Sequence, residues 1–331
     1  MARKSKPKEK PIRKYRNSEI NIIMATSQYA VLKNSQLKDW KKIKEEKIFE
    51  DSHIYIITRR PRVSLDTNKI LYQGGIVKGQ FEIHNTDSYG FTTLDFEFND
   101  AYPTRRLKSN FPHTELTIHD TVTNEEISKM DVTKLMRMLR KHDKCLNLEV
   151  VYVGQSYADG KRESAGRLQK HSTLQNILGD IIEQSPNHVV DLVLLSFSDE
   201  SINVLFDGIS KNTETSEVED KTHLKQVLTT SISFKNKVNL IELALIRYFQ
   251  PNYNIRLKNK YKPVAYYKKS LEDLYKLDIN QATVFLNLYE DSNPIDELML
   301  FSDEVLPSSQ HFTKLDLHAP AIRKQMYDFF A

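Results

Sequence analysis

Between residue 53 and about residue 120, apolar positions fall in short runs: His53-Ile54-Tyr55-Ile56-Ile57-Thr58, Ile70-Leu71-Tyr72, Gly79-Gln80-Phe81-Glu82-Ile83-His84 and Leu94-Asp95-Phe96-Glu97-Phe98. Each run is rich in β-branched and aromatic residues and bounded by turn formers, the pattern of strands in a β-rich region. Upstream, residues 17–50 read as mixed helix, with Leu37 to Lys44 the clearest helical piece. Val132 to Lys141 places Leu135, Met136 and Leu139 on one side of a helix. The pattern then alternates. Leu148 to Val153 predicts a strand, and Ser164 to Gln184 a helix bent near Ser172. Val189 to Phe197 predicts a second strand, residues 209–222 a polar loop, and Asn239 to Phe249 a helix stopped by Pro251. Strands alternating with helices over so short a stretch predict a small α/β unit. Beyond residue 261, Ala282 to Leu288 and Glu297 to Phe301 form further apolar runs.

These patterns divide the 331 residues into a basic, disordered tail (1–16), a mixed, β-rich N-terminal domain (17–145), an α/β domain (146–260) and an α+β C-terminal extension (261–331). The chain is long enough to bury a sizeable core. No apolar run reaches the length of a membrane span, the one cysteine (Cys145) excludes an internal disulfide framework, and the N-terminus lacks the apolar segment of a secretory signal. The expected location is the cytoplasm, without membrane contact. The net charge of +4 is unevenly spread: residues 1–16 hold eight Lys/Arg against Glu9. Such a tail suits salt-sensitive attraction to nucleic acid, and equally a solubilising role. The extension, with eleven acids against seven Lys/Arg, is not expected to be the nucleic-acid surface.

Candidate chemistry concentrates in residues 146–260. Arg167 and His171 are four apart, so one helix face carries a cation and a titratable imidazole that can address one ligand. Gly154, just after the predicted strand, allows close approach at the strand end. Glu242 stands among Leu240, Ile241, Leu243, Ala244, Leu245 and Ile246, in a helix apolar nearly all round. A carboxylate buried there is costly unless paired or metal-bound, so a partner is expected, either Arg167 or a divalent cation.

Tyr152-Val153-Gly154-Gln155-Ser156, then Arg167-x-x-x-His171, Glu242 and Pro251-x-x-Asn254 resemble the second half of the GIY-YIG nuclease signature, over about a third of the chain. The resemblance implies a small α/β (α+β) nuclease domain, with a mixed sheet flanked by helices. It also implies a metal-dependent endonuclease hydrolysing phosphodiester bonds, DNA being favoured over RNA, in phage defence, restriction or a mobile element. Implied catalytic residues are Tyr152, Arg167, His171 and Glu242, with Glu242 holding Mg²⁺ or Mn²⁺. Arg167 would clamp the phosphate, Tyr152 would help activate the nucleophile, and His171 would relay or orient a proton. Gly154 and Asn254 would support the site, and Lys161 and Arg162 are candidate nucleic-acid contacts. No Gly-Ile-Tyr precedes Tyr152, where residues 140–147 read Arg-Lys-His-Asp-Lys-Cys-Leu-Asn. The missing strand is either replaced or supplied by the N-terminal domain, where Ile54-Tyr55-Ile56-Ile57-Thr58 is the candidate. The competing reading is a catalytically inactive nuclease-like module that binds nucleic acid, or a protein partner through its flanking domains.

Overall fold

The structure, a computed structural model, describes residues 15, 17–33, 36, 52–99, 105–139, 144–155, 172–198, 200–206, 214–255, 272, 274, 276–289 and 297–316. In chain order the strands and helices are β1 (Asn17–Lys33), β2 (Ile54–Pro61), β3 (Val63–Leu65), β4 (Leu71–Gln73), β5 (Ile76–His84), β6 (Phe91–Asn99), β7 (Arg105–Lys108), β8 (Glu115–Asp120), β9 (Glu126–Asp131), α1 (Val132–Met138), β10 (Leu148–Gln155), α2 (Ser172–Gln184), β11 (His188–Phe197), β12 (Ser201–Phe206), α3 (Glu217–Thr229), α4 (Phe234–Phe249), β13 (Gln281–Asn287), β14 (Leu300–Phe301) and β15 (Gln310–Asp316). The fold is mixed α+β and dominated by strands. The basic tail except Tyr15, the helix expected at Leu37 to Lys44, and the segment carrying Lys161, Arg162, Arg167 and His171 lie outside the described residues.

A curled mixed sheet of eight strands runs in the order β14-β10-β2-β11-β1-β13-β15, with β12 also on β1. Strands from residues 17–145, 146–260 and 261–331 therefore share one sheet. Most neighbours are antiparallel, but β13 lies parallel to β1 and β14 parallel to β10. Residues expected to begin a mixed-helical stretch instead form β1, whose Ile20, Ile22 and Met24 are buried in alternation. That period of two is obscured in the sequence by Ile23, which sits between them on the other face. The polar loop expected at 209–222 ends earlier. Ser216 caps α3, its hydroxyl accepting from the backbone N–H of Glu219 while the Glu219 carboxylate accepts from the Ser216 N–H. Helix formation there satisfies donors that a loop would leave open.

The large sheet is covered on both faces. Helix α4 packs on one, where Ile54, Val153, Leu195, Leu240, Ala244 and Phe249 belong to one core. Helix α2 packs on the other, burying Leu174, Ile177 and Ile181 against Tyr55, Ile57, Leu192 and Leu194. Each fully buried aliphatic side chain contributes about 1.5–3 kcal/mol, so the two helices are held mainly by these faces. Two small sheets, one of β3 to β6 and one of β7 to β9, pack with α1 around Phe81, Phe96, Leu116 and Met136. Among the described residues, no helix is long and apolar enough to cross a membrane.

Candidate active site

Strand β10 is the spine of the site. It is buried on both faces at Val150, Val151 and Val153, which accounts for its near-continuous apolar sequence. Its antiparallel neighbour is β2, with Gly154 opposite Tyr55 and Gln155 opposite Ile54. The pairing is pinned at its other end by Arg59, whose Nε and Nη2 each donate to a Glu149 carboxylate oxygen at 2.8 Å. This two-pronged bond with Glu149 outweighs burial and raises the Arg59 pKa above its ordinary value.

The register brings two tyrosines together. Tyr55 and Tyr152 lie on the α2 face with ring centroids 6.1 Å apart. Gly154 makes room for both: a Cβ there would stand 2.5 Å from Cζ and Oη of Tyr55 and 2.7 Å from Cε1 of Tyr152. The glycine is thus required by a phenol packed onto its Cα.

The next residue faces the opposite way, as strand geometry dictates. The Gln155 side chain lies under α4 and its Nε2 donates to Glu242 Oε2 at 2.5 Å and to Asn239 Oδ1 at 3.0 Å. Glu242, Asn239 and Gln155 are 7%, 1% and 7% exposed, so this polar group is enclosed in the apolar shell that α4 makes. Tyr55 and Glu242 therefore contact consecutive residues of one strand end, from opposite faces of the sheet. Adjacent Cα atoms are only about 3.8 Å apart, so a group lying across this strand end can reach both sides.

Helix α4 stops at Gln250, in the left-handed conformation at φ 51°, and Pro251 follows. The chain then returns along β10. Asn254 accepts from the backbone N–H of Val153 at 2.9 Å through Oδ1 and donates through Nδ2 to the Val153 carbonyl at 2.8 Å. The Tyr253 N–H donates to the Val151 carbonyl at 3.1 Å. Burial first, then a hydrogen bond with Asp180 of α2, pushes the Tyr253 phenol above its usual pKa. Asn254 thus works as a backbone clamp on the strand between the two tyrosines and the acid.

Of the residues singled out from sequence, the structure brings Tyr152, Gly154, Glu242 and Asn254 to this strand end. Arg167, His171, Lys161 and Arg162 lie outside the described residues. Two further residues belong to the site, Gln155 and Asn239. Asn239 has a readable signal: it stands three positions before Glu242, on the same side of the helix. Among the described residues, no group of three or more His, Cys, Asp or Glu side chains is placed to hold a metal ion. The hard oxygens of this group are the Glu242 carboxylate and the Asn239 Oδ1; Gln155 faces both through its Nε2 donor. Mg²⁺ or Mn²⁺ at this single carboxylate would need its remaining ligands from water or substrate oxygens. No protein-family model, curated protein or solved structure matches the chain.

Proposed function

We propose that the chain is a metal-dependent endonuclease that hydrolyses phosphodiester bonds in nucleic acid, DNA first, at the end of β10. The observation that carries this reading is the meeting of Tyr55, Tyr152 and Glu242 around Gly154 and Gln155. The resemblance lacked a first tyrosine-bearing strand beside Tyr152. β2 supplies a tyrosine at that place from far upstream, paired antiparallel with β10. A carboxylate buried in the apolar shell of α4 also needs a partner to offset its desolvation, which a bound cation would supply.

In this reading the Tyr152 hydroxyl helps orient the attacking water at the strand end, with the buried Tyr55 ring packed on Gly154 behind it. Arg167 clamps the phosphate with its planar fork and favours the added charge of the transition state. His171 relays or orients the proton. Glu242, oriented by Gln155, holds the cation with Asn239 close by. The cation, when bound, supplies charge stabilisation at the phosphate and leaving oxygen. Asn254 and Gly154 keep the strand end in shape.

The test is cleavage of supercoiled plasmid, with single-stranded DNA and RNA alongside, in Mg²⁺, Mn²⁺ and EDTA. Wild type is compared with Glu242→Gln and Tyr55→Phe, both checked for folding by circular dichroism. Metal-dependent nicking that falls at least about a hundredfold in Glu242→Gln is expected, the scale of losing a main electrostatic contributor. A wild type that binds nucleic acid under all conditions and never cuts it overturns the enzyme in favour of a binding module.

A further inference from the structure

A cavity of about 380 Å³ opens beside the candidate site, on the same α4 face of the sheet. It shares walls with that site. Ile54, opposite Gln155 in the β2–β10 ladder, lines it, and so does Ile241, the residue before Glu242. Its volume falls in the range of small-molecule sites. Its lining mixes the rings of Phe234, His53 and Phe197 with the polar Ser27, Gln28 and Lys237. Phe234, 44% exposed at the start of α4, meets His53 edge-on with centroids 4.6 Å apart.

The polar lining from β1 owes its shape to an irregularity in that strand. Thr26 pairs with Phe197 and Gln28 with Ser196, so Ser27 is an extra residue without a partner in the ladder. Such bulges re-aim side chains out of the regular pleat. Ser27 and Gln28 are both exposed and both line the cavity. Gln28 brings a carboxamide with one acceptor and two donor hydrogens, and Ser27 a hydroxyl. Aromatic surface and hydrogen-bonding groups in one cavity suit a planar heterocycle. Lys237, which also lines the cavity, is paired with Glu200.

We propose that this cavity receives one unstacked nucleobase of the nucleic acid whose phosphate lies at the end of β10. Phe234 stacks on the base and Gln28 and Ser27 meet its polar edge. The proposal rests on the endonuclease reading and adds a substrate preference: an unpaired or easily extruded base beside the cut is favoured over a rigid duplex.

The experiment measures binding by the full chain in EDTA, so that no cleavage is required. Single-stranded oligonucleotides carry 2-aminopurine, or an abasic residue, at each position in turn. One position is expected to report capture through a change in 2-aminopurine fluorescence on binding. At that position an abasic residue weakens wild-type binding by roughly 5- to 100-fold, the worth of one base–aromatic stack. Phe234→Ala weakens the intact oligonucleotide by a similar factor, yet adds nothing to the abasic loss. Gln28→Ala changes which base binds best there. If no position responds, or if the Phe234→Ala and abasic losses add independently, the cavity is not a base pocket. Metal-dependent cleavage without this coupling removes the pocket and keeps the nuclease. The coupling in a chain that never cleaves keeps the pocket and removes the nuclease.

Discussion

Replacing Gly154 by alanine tests the geometry on which the candidate site depends. The new methyl would sit 2.5 Å from Cζ and Oη of Tyr55 and 2.7 Å from Cε1 of Tyr152. Favourable carbon contacts lie at about 3.5–4.0 Å, so the rings must retreat by roughly 1 Å. Tyr55 is 1% exposed and shares a core with Leu174 and Ile177 of α2, so its ring has no open side to move into. Overpacking of this kind costs about 1–3 kcal/mol. Urea unfolding followed by far-ultraviolet circular dichroism reads the loss as a lower midpoint at unchanged slope. The same substitution made in a Tyr55→Ala background meets less obstruction. The double variant should then be more stable than the sum of the single losses by about 1–3 kcal/mol, a coupling expected only of residues in contact. A Gly154→Ala protein as stable as wild type, or losses that simply add, would show that Tyr55 does not pack on this strand end, and the proposed site would fall with it.

Asn254→Ala strips the clamp from Val153 and leaves a buried N–H and a buried C=O open; a loss of about 2–4 kcal/mol is expected by the same unfolding assay, against under 1 kcal/mol if the contact is incidental. Arg60 and Asp191 form a buried pair at 2.8 Å, both under a tenth exposed. Asp191→Ala should cost about 3–5 kcal/mol, whereas Arg60→Met with Asp191→Leu should recover most of it; equal losses for the two variants would contradict a desolvated pair. Buried His311 donates through Nε2 to the Ser308 carbonyl, and the Tyr248 hydroxyl lies 3.2 Å from Nδ1. Burial, the larger influence, lowers the His311 pKa while the Ser308 bond opposes it. Its contribution is therefore fully present above the unfolded value of about 6.5 and is lost as pH falls toward the lower folded value. Unfolding midpoints compared between pH 7.5 and 5.0 should drop more in wild type than in His311→Gln; identical drops would exclude His311 as the source.

Much of the local structure was legible before any fold was known. The apolar runs at Ile54, Phe81, Leu148 and Val189 announced strands, and the one acid in Leu240 to Ile246 marked a buried carboxylate. These signals are local, because burial on a strand or helix face writes its period into neighbouring residues. β1 escaped for the same reason in reverse: with Ile23 between Ile22 and Met24, its period of two is blurred. Ser216 and Glu219 did carry the cap of α3, in the Ser-x-x-Glu spacing that the expected loop overran.

What makes a site of these residues is not local. Gly154 meets Tyr55 because β2 enters the sheet between β10 and β11, and Asn254 meets Val153 across 101 positions. Nothing near Tyr55 in sequence says which strand it will face. That choice is made by the fit of two helices on the sheet and by the Arg59–Glu149 bond that holds the register. The sequence alone determined which groups are chemically unusual: a buried acid, a glycine at a strand end, a late asparagine. Only the tertiary structure decided that they converge, because strand register depends on packing energies summed over residues distant along the chain.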